Sequence, residues 1–150
     1  MMSDRVTRRW LRFRALEGRD RWLVAEAVFL IGVIQVCGRL MPFGALRGLL
    51  ARAKRFHSTS RHLPTQIGWA VNAAARVVPG RTCLSDALAA DVMLCRRGYE
   101  SALRLGVKKR DDGAVPLQAH AWVECNGSIV AGELERLDEY RLFPHTGGAA

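Results

Sequence analysis

Cysteine is scarce in this chain of 150 residues: Cys37, Cys83, Cys95 and Cys125 stand far apart. Four so scattered are too few for a disulfide framework, and without any CxxC pair a zinc ribbon is not expected. Internal repeats and low-complexity segments are absent. At 49% hydrophobic and 25% charged, the composition is that of a globular protein, not of a disordered or fibrous one. An uninterrupted apolar run of about 20 residues, the length that spans a bilayer, is also missing. The most apolar stretch, Trp22 to Met41, is broken by Glu26, Gln35 and Arg39 and reads as a buried helix, apolar nearly all round. It begins too late for a simple signal peptide, and no small-residue cleavage site follows it. The expected compartment is therefore the cytoplasm, where thiols stay reduced. A chain of this length buries enough surface to fold without disulfide or metal, and a second full domain is not expected.

Acidic residues are scarce in one part only. Residues 1–62 hold thirteen Lys and Arg against Asp4, Glu17, Asp20 and Glu26, whereas residues 63–150 hold ten of each sign. The formal charge of +9 thus resides in a basic N-terminal region, 1–62, set before a neutral core, 63–150, the two forming one compact domain. Such a surface attracts anions: nucleic acid, acidic lipid or an acidic peptide. A solvated helical face is the plain alternative. The arginines lack the alternating aromatics of a single-strand stacking platform, so nucleic acid is not expected as a partner. Peripheral contact with a membrane through the basic flanks stays open.

The hydrophobic pattern divides the chain into helices followed by strands. A short amphipathic helix is expected over 5–17, a second over about 21–40 capped by Asp20, and a third over about 44–55. Pro64 opens a fourth, with Ile67, Ala70, Val71, Ala74 and Val77 at helical spacing. Thr82 is the expected N-cap of a fifth, carrying Leu84, Leu88, Val92 and Cys95 and stopped by Gly98. Strand-like runs follow at 101–107, 117–125 and 128–132, the last two joined by Asn126-Gly127, the residue pair that favours a type I′ hairpin turn. Helices leading into an antiparallel sheet define an α+β fold.

Chemistry concentrates at Cys83 and His120. Cys83 opens a helix, where unpaired N–H groups and the dipole favour a thiolate and could hold a developing oxyanion. A small buried residue is the plain reading of any cysteine, and it suits Cys37 and Cys95. His120, Trp122 and Glu124 share one strand face. With Cys125 opposite Ser128 across a two-residue turn, His120 falls opposite Glu133, whose carboxylate would hold one imidazole nitrogen and leave the other for Cys83. A longer loop would bring in Glu135 or Asp138 instead. Gln118, two residues from His120 on the same face, is a candidate oxyanion donor, and Trp122 a candidate substrate contact. A metal centre is not expected: Cys83 and Cys95 lie about 18 Å apart along one helix, and His120 and Cys125 point to opposite faces of their strand. No cofactor is called for.

The run Pro79-Gly80-Arg81-Thr82-Cys83-Leu84-Ser85-Asp86-Ala87-Leu88, then Leu94-Cys95-Arg96-Arg97-Gly98, Leu105-Gly106-Val107 and Ala119-His120-Ala121-Trp122-Val123-Glu124, resembles the transglutaminase-like cysteine peptidases of lasso peptide biosynthesis. The resemblance covers about residues 20–135. It implies a papain-like or transglutaminase-like core with Cys83 as nucleophile and His120 as general base and acid. Such enzymes remove the leader from a ribosomal precursor peptide, and a separate cyclase closes the freed product; an acyltransferase on the same fold and a non-catalytic peptide- or membrane-binding scaffold stay open as alternatives. The family's third catalytic member is an aspartate about a dozen residues past the histidine. Here that place is Gly132-Glu133, and Glu133 is the expected substitute. Because residues 1–62 read as helices rather than a leader-binding module, a separate leader-recognition protein is implied as partner, beside the precursor peptide and the lasso cyclase.

Overall fold

The computed structural model describes residues 17–55, 57, 59, 61–109, 117–133 and 137–142; most of the helix expected at 5–17, and Glu135, lie outside them. Four α-helices precede a small sheet: α1 (Gly18–Leu40), α2 (Phe43–Lys54), α3 (Pro64–Ala75) and α4 (Cys83–Arg96), then β1 (Ser101–Lys109), β2 (Leu117–Cys125), β3 (Ser128–Ala131) and β4 (Arg141–Leu142). All pairings are antiparallel and the strand order is β3-β2-β1-β4, so the fold is α+β.

Helix α4 is the hub. Every residue from Ser85 to Leu94 is buried, because α1, α2, α3 and three strands all pack around it. Its small residues Ala87, Ala89 and Ala90 let those neighbours approach closely. From the helical layer come Leu23, Ile31, Leu50, Ile67 and Val71, and from the inner face of β2 come Ala121, Val123 and Cys125; all belong to one hydrophobic cluster, which crosses the 62/63 boundary.

Helix α1 departs from expectation in two ways. It starts at Gly18 after Glu17, and Asp20 sits in its first turn instead of capping it. It is also buried on one face only. Leu23, Val24, Ala27, Leu30, Ile31 and Ile34 enter the core, while Trp22, Phe29, Val36 and Leu40 are exposed. Among the described residues it is the one helix long and apolar enough to cross a membrane by length and composition. Each polar interruption of its apolar run makes a tertiary contact. Glu26 binds Arg96, the last residue of α4, at 3.0 Å and Arg97, just past it, at 2.6 Å. With donor facing acceptor, the Gln35 amide donates to the Pro79 carbonyl at 3.2 Å and accepts from the Arg81 N–H at 3.1 Å. Arg39 lies over Gly80. The last two brace the loop that leads into Cys83.

The remaining helices follow their spacing, except that Val77 lies past the end of α3 and is exposed. The Leu63 N–H donates to the Gln66 side chain at 2.9 Å, closing the first turn of α3. The hairpin turn is as expected: Asn126 and Gly127 take φ of 51° and 76°, and Cys125 faces Ser128. The register beyond is not. Glu124 pairs with Ile129, but Val123 pairs with Ala131, a bulge that slips the ladder by one residue. The His120–Glu133 cross-strand pair is thereby lost, and β3 ends at Ala131, before reaching His120.

Candidate active site

The site begins with the capping of α4. Thr82 is extended and accepts the Ser85 N–H on Oγ1 at 3.1 Å, while Ser85 Oγ accepts the Thr82 N–H at 3.0 Å. This reciprocal box satisfies two of the four N–H groups that a helix start leaves unpaired. The other two, on Cys83 and Leu84, have no acceptor among the described residues. Cys83 is the first helical residue, so its half-buried side chain stands beside two free donors at the positive end of the dipole.

His120 is half-buried on β2, and its ring Nε2 lies 2.7 Å from the Gly132 carbonyl. A carbonyl only accepts, so Nε2 carries the proton and Nδ1 is left as the basic nitrogen. The ring is held from two further sides, by Trp122 with centroids 6.2 Å apart and nearly parallel planes, and by Tyr140 at 5.7 Å. Trp122 is itself pinned: its Nε1 donates to Glu124 at 3.0 Å, and Glu124 accepts from Arg104 at 3.1 Å. The Trp122 hydrogen bond, assisted by Arg104, holds the Glu124 carboxyl below its usual pKa.

Cys83 and His120 line one cavity of about 540 Å³ together with Asn72, Arg81, Asp86, Gly132 and Glu133. Asp86 stands one helical turn beyond Cys83. It is buried, binds Arg81 at 2.6 Å through Oδ2, and leaves Oδ1 without a partner among the described residues. Burial raises its pKa, opposed by Arg81.

The sequence-derived candidates thus divide. Cys83, His120 and Glu133 share the cavity, but the group that holds the imidazole is the Gly132 carbonyl, not the Glu133 carboxylate, because of the β3 bulge. Trp122 is buried behind His120 and Gln118 is exposed on β2; neither lines the cavity. Asp138 is exposed and also outside it. Asn72, Arg81, Asp86 and Gly132 are the lining residues that sequence reasoning did not assign. Asp86 had one signal, its i+3 spacing from Cys83. Asn72 had none, because only the packing of α3 brings it there. Among the described residues no cluster of three or more His, Cys, Asp or Glu could hold a metal ion.

Cys83, at the start of the central helix, and His120, on a strand, thus line one cavity. Comparison with family models gives the lineage. Residues 27–143 match the transglutaminase-like superfamily, and the chain belongs to it. That superfamily includes cysteine peptidases and acyltransferases. No curated protein and no solved structure matches the chain significantly.

Proposed function

We propose that this protein is a cysteine peptidase that removes the leader from a lasso-type precursor peptide in the cytoplasm, working with a separate leader-binding protein and a cyclase. The observation that carries the reading is the shared cavity of Cys83 and a His120 whose Nε2–H is committed to Gly132. The sequence resemblance supplies the substrate class.

In this reading Nδ1 of His120 takes the Cys83 proton and the sulfur attacks the scissile carbonyl. The oxyanion is met by the Cys83 and Leu84 N–H groups, with the Asn72 amide as a further donor across the cavity. Collapse breaks the C–N bond, and the imidazolium returns its proton to the leaving amine. Water, deprotonated by the same Nδ1, then attacks the thioester and frees the carboxylate and the Cys83 thiol.

The test is the mass of products formed when this protein, its leader-binding partner and the precursor are mixed. Two fragments whose masses add up to precursor plus one water are expected from the wild type, and none from Cys83→Ala. A mass change without scission would indicate transfer to an amine, and cleavage undiminished in Cys83→Ala would contradict the nucleophile assignment.

A further inference from the structure

A second cavity, of about 600 Å³, opens between α3 and β3 on the hairpin side of the molecule. Its lining includes Leu63 and Trp69 from α3 and its approach, Ile129 from β3, and Asn72. Asn72 is also a wall of the Cys83–His120 cavity, so the two spaces meet at that side chain. The floor exists because Gly68 has no side chain: a Cβ there would lie 2.2 Å from the Val130 carbonyl.

Three apolar side chains of this groove are left largely outside the core. Leu63 is 61% exposed, Trp69 44% and Ile129 36%. β3 is the terminal strand of the sheet, with no described strand beyond it. A terminal strand offers backbone N–H and C=O groups to an extended chain, and aromatic and aliphatic pockets beside it select side chains. A space of this volume is about 10 Å across, enough for roughly three extended residues at ~3.3 Å each.

We infer that the α3–β3 groove is a substrate subsite, which seats an apolar side chain of an extended peptide within about three residues of the bond delivered to Cys83. The occupant is the substrate chain because the groove and the Cys83–His120 cavity share Asn72 as a wall and so lie side by side. The inference rests on the peptidase reading for its substrate class, yet the two fail separately.

The decisive experiment uses the full chain carrying Cys83→Ala and two fluorescein-labelled decapeptides, one centred on Leu-Phe-Val and one with Ser-Asn-Ser in its place. Fluorescence anisotropy should show binding of the apolar probe only. Adding Trp69→Ala or Ile129→Ser should weaken it about tenfold in each case. Agreement between substitutions on two different elements, each with an unchanged circular dichroism spectrum, distinguishes a lost contact from local unfolding. Equal binding of both probes, or apolar binding untouched by both substitutions, would overturn the subsite. If the apolar probe binds as expected and the wild type cleaves no peptide, the subsite stands and the peptidase reading falls. If the wild type cleaves its precursor with kcat/KM unchanged by Trp69→Ala, the subsite falls and the peptidase reading stands.

Discussion

Gly132 meets two demands that other residues satisfy poorly. Its φ is +83°, and a Cβ built there would lie 2.5 Å from the Ala121 carbonyl and 2.9 Å from Trp122. Its own carbonyl fixes the His120 ring. Gly132→Ala is therefore expected to lower kcat about a hundredfold, because even a small displacement of the base is costly. Glu133→Gln should cost less than about tenfold, since the carboxylate does not hold the imidazole. Steady-state kinetics on folded variants, verified by circular dichroism, checks the ranking, and the reverse order would restore the carboxylate as orienter. Cys83 and His120 could be singled out as candidates from sequence because helix-start chemistry and strand parity are local properties. The orienter was not legible, because one bulged residue at 129–131 moves every later side chain and no residue type announces it.

The site is held by how closely α3 lies against β3. Gly68 faces the Val130 carbonyl so tightly that any side chain must push the helix off the sheet. Gly68→Ala is expected to destabilise the fold by about 1–3 kcal/mol, measured by urea unfolding, although alanine is the better helix former. A neutral or stabilising result would mean that α3 sits farther from the sheet than described. The helices and the hairpin were readable from periodicity and from Asn126-Gly127. The half-exposed character of α1 was not, because Trp22, Phe29, Val36 and Leu40 are as apolar as its buried residues. Composition cannot tell a covered face from an open one.

Across the whole molecule, α1 and α2 are clamped to α4 through charge: Glu26 to Arg96 and Arg97, and Lys54 to Asp91. His62 is packed into this region at 5% exposure, and neither ring nitrogen has a partner among the described residues. Burial foremost, then the charges of Arg97 and Arg19, lowers its pKa below the ordinary 6.5. In the unfolded chain the ring takes up its proton as pH falls through that ordinary value, while the folded ring does so only at lower pH. Stability is thus lost on acidification over the interval between the two, at up to about 1.4 kcal/mol per pH unit. His62→Leu should flatten the fall in Tm as the pH drops below about 6.5; an unchanged slope would show that other groups cause it. The family match from 27 to 143 takes in α1 from Ala27 onward.

A Cys83 nucleophile served by His120 should reveal itself in the rates at which the four thiols are alkylated. Iodoacetamide applied at neutral pH, with sites mapped by mass spectrometry, should modify Cys83 before Cys37 and Cys95. Cys125 should react last, because burial raises its thiol pKa. The Cys83 rate should fall in His120→Ala. Cys83 reacting no faster than Cys37, or at a rate indifferent to His120, would contradict the account.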